Sequence, residues 1–230
     1  MKRNIVAIRY TVALCTLVAC QSNSNKYEGK PFSDAQHNGV QQIPGRLQFE
    51  LFDTGGEGVA FHDNDSINSG SGVLNPADGN YLNEFRLQEP VDISYTKFRE
   101  PLIDNSPFNF VEPEPDQLYV GWTAPGEWIK YTVDVKESGK YRLGLMYTAN
   151  QDGKISLAVN DVDVTGPMDV PSTYVDNDTI AWRQWHHWNY LDQLPFVQLE
   201  KGTQTITIHT VDVGQMNYEH LDFELIKKTK

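Results

Sequence analysis

Residues 128–135, "WIKYTVDV", alternate strictly between two kinds of side chain. Ile129, Tyr131, Val133 and Val135 fall on one side; Trp128, Lys130, Thr132 and Asp134 fall on the other. That period of two fits a half-buried β-strand and no helix. The strand follows a turn signal at Pro125–Gly126, and its solvated side begins with a Trp. Trp122 lies six residues earlier, before the turn. A large aromatic on a wet face is uneconomical unless a covering loop or a partner uses it, and the apolar C–H face of a sugar ring is one such partner.

The same pattern recurs. Strand-like runs lie at about 46–52, 127–135, 140–148, 154–164, 183–190, 194–199, 203–213 and 217–226, short and punctuated by Gly, Asn, Asp and Pro. No stretch carries an apolar stripe of helical period. The expected class is all-β, a β-sandwich or jelly roll of antiparallel strands. Two irregular regions, 53–118 and 165–181, are too long for plain connections; such loops carry function or wrap an edge.

The first twenty residues read as a leader. Lys2, Arg3 and Arg9 precede the apolar run "YTVALCTLVA", which is too short to span a bilayer. The run ends in "LVAC", Leu17–Cys20, which resembles a bacterial lipobox and implies cleavage before Cys20 with acylation of that residue. Several acyl chains anchor stably where one does not. The expected location is the outer membrane or cell surface, and Ser22 shortly after Cys20 agrees with it. Cys15 leaves with the leader and Cys20 takes lipid, so the mature chain has no disulfide.

The precursor carries a formal charge of −12, and removal of the leader's three cations leaves residues 21–230 at −15. That balance argues against nucleic acid and anionic surfaces and favours neutral ligands and cations such as Ca²⁺. Residues 21–42 are polar without periodicity and read as a tether; residues 43–230 read as one β domain.

The ordered pieces of this domain resemble carbohydrate-binding modules of family 6. "IPGRLQFELFDTGGEGVAFHD" (43–63), "FRLQEPVDISYTK" (85–97) and "VGWTAPGEWIKYTVDV" (120–135) carry the likeness. "GKYRLGLMYTA", "WRQW" (182–185), "LEKGTQTITI" and "LDFEL" (221–225) complete it, so it spans about 43–227. The resemblance implies a β-sandwich with a binding cleft among loops at one end, where two aromatics hold one sugar. It puts Trp122 and Trp182 in those positions, His62 or Asp63 on the first loop, and Asn217 or His220 near the last strand. A second site on the sheet face would involve Trp128. It also implies a structural Ca²⁺ held by Gln48 and Glu50, sharing a face of the first strand, and by Asp222 on the last; Gln48 stands where the family usually has Glu.

Aromatic rings suit sugars because pyranose faces are apolar and the rim is hydroxyl. Trp182, Trp185 and Trp188 recur at spacing three and cannot share one strand face. His186 and His187 are adjacent and would point apart, so one ion cannot easily take both. "HDNDSIN", 62–68, reads as a solvated turn, lacking the rest of a calcium-loop pattern. No nucleophile elbow, zinc motif or phosphate loop is present, and no carboxylate pair can be singled out from composition. The leading expectation is a lipid-anchored protein that binds a β-linked polysaccharide such as xylan, β-glucan or an agar-type chain without cleaving it, beside degradative or importing partners. The alternatives are a small glycoside hydrolase or lyase on the same scaffold, or a structural lipoprotein that binds protein.

Overall fold

The computed structural model describes residues 27–99 and 102–227; the leader, Cys20 and residues 21–26 lie outside them. In chain order the strands are β1 (Gln41–Ile43), β2 (Gly45–Gln48), β3 (Phe61–His62), β4 (Ser71–Gly72), β5 (Asn75–Pro76), β6 (Ile93–Tyr95), β7 (Leu118–Val120) and β8 (Trp128–Val135). There follow β9 (Gly139–Ala149), β10 (Gly153–Val159), β11 (Val162–Asp163), β12 (Met168–Val170), β13 (Asn189–Leu191), β14 (Val197–Leu199), β15 (Gly202–Asp212) and β16 (Met216–Leu225). Two 3-10 helices, Phe49–Leu51 and Ala181–Trp185, interrupt them. The chain is all-β. Among the described residues no helix is long and apolar enough to cross a membrane.

Two sheets form the sandwich. The first runs β1-β8-β15-β10-β11, with β3 on β8 and β12 on β10; the second runs β13-β9-β16-β7-β6, with β14 on β9 and β2 on β16. The alternation in β8 does what its period requires: Ile129, Tyr131, Val133 and Val135 are buried and the intervening side chains are not. They pack with Ile155, Leu157, Ile206 and Ile208 of the same sheet against Tyr141, Leu143, Leu145 and Phe223 of the second.

The second sheet departs from simple alternation. In β9 every residue from Leu143 through Ala149 is buried; Met146 and Thr148, on the outer side, are as buried as their core-facing neighbours. A strand buried on both faces reads as a continuous run. What covers the outer face is a second small cluster, Tyr119, Met146 and Trp188, with Tyr190 against it. Trp188 and Tyr119 meet edge-to-face at 5.3 Å. The irregular region before β7 and the segment around the second 3-10 helix supply this cover.

Four expectations change. The run at 183–190 is not a strand: residues 181–185 form a 3-10 turn, closed by Arg183 N–H to Ile180 and His186 N–H to Arg183, and β13 begins only at Asn189. The run at 154–164 is a hairpin, because Asn160 and Asp161 both take left-handed backbone (φ 49° and 64°), as its turn demands. The run at 46–52 leaves the sheet after Gln48. The tether is shorter than 21–42: residues from Tyr27 onward are fastened to the domain, by Tyr27 OH to Asp53 (3.0 Å), by Lys30 bridging Thr54, by Tyr81 OH to Asp34 (2.6 Å), and by β1 pairing in parallel with β8.

Candidate functional site

A cavity of about 660 Å³ opens at one end of the second sheet. Four aromatic residues line it: Tyr119, Trp122, Trp182 and Trp185. Leu74, Leu102 and Ile103 form an apolar wall from the irregular region, and Lys97, His186, Gln215 and Asn217 supply polar groups.

Trp122 follows β7 with only Gly121 between. It is 43% exposed and takes a left-handed backbone, φ 49°. That conformation is unfavourable for a bulky L-residue and persists only where the surroundings impose it. The surroundings here are the 214–216 turn: Thr123 Oγ1 bonds the main chain of Met216 in both directions (3.0 and 3.1 Å), and Gln215 N–H reaches the Thr123 carbonyl. Gly214 permits this approach, since a Cβ there would lie 2.3 Å from the Thr123 carbonyl oxygen.

Trp182 is 51% exposed on the second 3-10 helix. Its platform is held from beneath by buried polar groups. Gln184 bonds the main chain of Val175 at both ends and the Asp178 carbonyl. Asp178 receives two hydrogen bonds from the Arg183 guanidinium and further ones from Ile180 N–H and His187. The Arg183 bonds hold its carboxyl well below the usual range against the opposing effect of burial. The Trp185 carbonyl closes the set, accepting from Thr148 Oγ1 (2.7 Å) and from the Asn217 amide (2.7 Å).

Asn217 is thereby oriented. Its NH₂ donates to Thr148 Oγ1 (2.9 Å) and to the Trp185 carbonyl, which spends both donors internally. The remaining group is Oδ1, an acceptor on the cavity wall. A Cβ at position 121 would lie 2.6 Å from that oxygen, so Gly121 leaves it room.

Of the residues expected at the cleft, Trp122, Trp182 and Asn217 line the cavity together. The others do not. His62 pairs with Trp128 across β3 and β8, and its Nδ1 lies 2.5 Å from Glu57; Asp63 is beside it, with Asp92 and Glu127 near. Burial and the neighbouring carboxylates push Asp92 and Glu127 each up to about 7. Trp128 is half-buried on the outer side of the first sheet, its ring 6.5 Å from His209 and beneath the Lys130 ammonium, which also covers Tyr27. His220 is buried between Glu219 (2.9 Å) and Asp222 (3.5 Å). Burial lowers its basicity, and the bonds to Asp222 and Glu219 outweigh that, leaving it above the ordinary histidine range. Lys97, Leu102, Ile103, Tyr119 and Trp185 join the cavity without being expected there, and of these only Trp185, through its spacing from Trp182 and Trp188, carries a signal in the sequence.

Of the metal candidates, Gln48 and Glu50 stay together. Glu50 lies in the 3-10 helix rather than on β2, yet the Gln48 amide still meets its Oε1 at 3.3 Å. Asp222 opposes Arg46 in register and takes the Tyr190 hydroxyl (2.8 Å). Burial first, and then the charge of Glu219, push Glu50 up to about 8 against the opposing pull of Arg46 and Arg86. Glu50 Oε2 and Glu219 Oε2 are both buried without a hydrogen-bond partner. Among the described residues no three His, Cys, Asp or Glu side chains gather into a metal-binding group.

The model of carbohydrate binding module family 6 matches residues 109–225, half of the chain. The chain belongs to this family. Its function is carbohydrate binding, and modules of family 6 are typically noncatalytic. A family 35 module from Clostridium thermocellum aligns at 23% identity over 47% of this chain and 78% of its own, with a TM-score of 0.39. The C-terminal family 6 module of the laminarinase LamC from Zobellia galactanivorans aligns at 20% identity over 47% and 81%, TM-score 0.39. A further family 6 module, dissected for its binding sub-sites, aligns at 10% identity over 81% and 98%, TM-score 0.47. No curated protein matches the chain.

The left-handed backbone at Trp122 has a measurable consequence. Glycine alone tolerates that conformation freely, and the penalty for other residues is about 1–2 kcal/mol. Trp122→Gly should therefore be more stable than Trp122→Ala by about 1 kcal/mol in urea unfolding. Equal stability would mean that the turn relaxes when the indole is removed.

Proposed function

We propose that this family 6 module is a lipid-anchored, noncatalytic binder of a β-linked polysaccharide, such as xylan, β-glucan or an agar-type chain, and that its site is the cavity lined by Trp122 and Trp182. One observation carries the reading: two half-exposed indoles share a cavity with an amide whose only free group is an acceptor. Indole faces take the apolar faces of pyranose rings, and Asn217 Oδ1 takes a hydroxyl proton. Both indoles stand on supports that are already hydrogen-bonded, so little ordering is needed on binding.

The leader and its Cys20 support anchoring at the outer membrane or cell surface. A tethered module beside degradative or importing proteins gains effective concentration, which offsets modest affinity at a single site. Calcium is proposed at Glu50, Glu219 and Gln48 rather than at Asp222. A cation would satisfy both orphaned carboxylate oxygens and remove the repulsion between them, and the donors are hard oxygens of the kind Ca²⁺ takes; the Gln48 amide presents its oxygen when turned by half a rotation.

Binding is tested by calorimetry on a panel of soluble glycans. Trp122→Ala and Trp182→Ala should each weaken the bound glycan about tenfold or more, as loss of a stacked ring at about 1.4 kcal/mol per decade requires. Trp128→Ala is the comparison: if it alone abolishes binding, the site is on the sheet face. The same mixtures should show no new reducing ends, and their appearance would favour a hydrolase.

For the metal, a chelator should lower the melting temperature of the wild type and added Ca²⁺ should restore it, because a ligand of the native state stabilises by mass action. Glu219→Gln should lose that response and Asp222→Asn should keep it; the opposite pattern would return the site to Asp222.

For the anchor, Cys20→Ser should move the protein from the membrane fraction to the soluble fraction, with loss of the acyl mass from the mature N-terminus. Unchanged partitioning would refute lipidation.

A further inference from the structure

The cavity runs against the charge of the chain that builds it. The protein has 31 Asp and Glu against 19 Lys and Arg, yet among the described residues no carboxylate lines the cavity, and Lys97 does.

Lys97 follows β6, and its side chain folds back over the outer face of the second sheet. The ammonium reaches Ser94 Oγ at 3.1 Å and the Tyr95 carbonyl at 3.5 Å, and lies 4.2 Å from the centre of the Tyr95 ring. All three partners are neutral. The lysine ion pairs among the described residues use Lys130, Lys136 and Lys154, not Lys97. Burial holds Lys97 below the ordinary ammonium range, and Asp104 pulls weakly the other way. The Asp104 carboxylate is fully buried and already committed to Lys97 main-chain N–H (2.7 Å), His186 Nδ1 (2.9 Å) and the Trp188 indole N–H (2.7 Å). A partly desolvated cation held by neutral groups, at the wall of an aromatic cavity, is stabilised by an arriving anion.

We propose that the cavity selects a glycan bearing an anionic group, with Lys97 receiving the carboxylate or sulfate oxygens while Trp122 and Trp182 hold the sugar rings. The inference rests on the cavity being the glycan site. It narrows the substrate class from β-linked polysaccharides in general to acidic ones. The Lys97 contact supplies a preference that stacking cannot, since ring faces are alike in charged and uncharged sugars.

The test uses the full-length protein and matched oligosaccharide pairs at fixed ionic strength. The pairs are xylo-oligosaccharides with and without a glucuronic acid substituent, oligogalacturonates and their methyl esters, and agarose-derived and sulfated carrageenan-derived oligosaccharides. In at least one pair the anionic member should bind about tenfold more tightly, or be the only one bound. The pair that shows it distinguishes carboxylate from sulfate, and loss of the preference on methyl esterification separates charge from shape. Lys97→Met should bring the two members of that pair within about twofold of each other, and Lys97→Arg should retain the preference. If neutral members bind as well as anionic ones in every bound pair, or if Lys97→Met keeps the preference, the anion assignment is overturned while the cavity remains the glycan site. If no glycan binds at all, the cavity reading fails with it. The ester comparison is made on the wild type, so it stands even if Lys97 variants fold poorly.

Discussion

The site depends on one buried carboxylate. Asp104 is fully buried, and a buried charge is tolerated only when hydrogen bonds replace its water. Its bonds reach two separate stretches of chain: Lys97 N–H on one side, His186 and the Trp188 indole on the other. The first stretch carries Lys97, Leu102 and Ile103; the second carries Trp182 and Trp185. Asp104 therefore ties together the two walls of the cavity. Asn109 extends the tie, bonding the Asp104 carbonyl with its amide and Trp188 N–H with its oxygen. Without that carboxylate, the two stretches would still be joined at Trp188, by Asn109 and by the Phe110 and Val111 N–H groups, but the wall carrying Lys97 and Ile103 would lose its side-chain tie to His186 and the Trp188 indole.

The sandwich was legible because its signal is local. Alternation in Trp128–Val135 reports a strand with one buried face, and the structure buries that face. The outer cover of the second sheet was not legible. Met146 and Thr148 are buried by chain that lies far away in sequence, around Tyr119 and Trp188, and no period within β9 announces it. The second 3-10 helix is hidden from the local pattern for a related reason. Its fold is decided by Gln184 and Asp178 bonding main chain within a polar network, and such side-chain bonds compete with ladder pairing.

The site divides along the same line. Trp122, Trp182 and Asn217, which family likeness points to, share the cavity: the sheet fixes Trp122 and Asn217 near strand ends, and the polar network under the second 3-10 helix fixes Trp182. His62 ends β3, paired with Trp128, and Asp63 opens the loop after it, which Glu57 and Glu127 hold on the Trp128 side instead. His220 and Asp222 keep regular register with Gln48 and Arg46 of β2, while β16 is irregular between Tyr218 and His220, where Glu219 is the extra residue. One extra residue in a strand changes which side chains face inward, so the alternation that holds for "LDFEL" does not carry through Glu219. Glu219, not Asp222, is consequently the carboxylate near Glu50.

The distribution of charge constrains how such a cavity can choose. A net charge of −12 repels an acidic glycan at long range, so the surface cannot steer one inward. Screening confines that repulsion to about 8 Å at physiological ionic strength. Within that distance the balance is set by groups on the wall, and there the described carboxylates are absent while Lys97 is held among neutral oxygens and an aromatic ring. Under the proposed anion preference, selection would therefore be a contact property, decided after the sugar has met the indoles. A cavity of this kind favours slow release of the right ligand over fast capture of any ligand, which is where short-range complementarity acts.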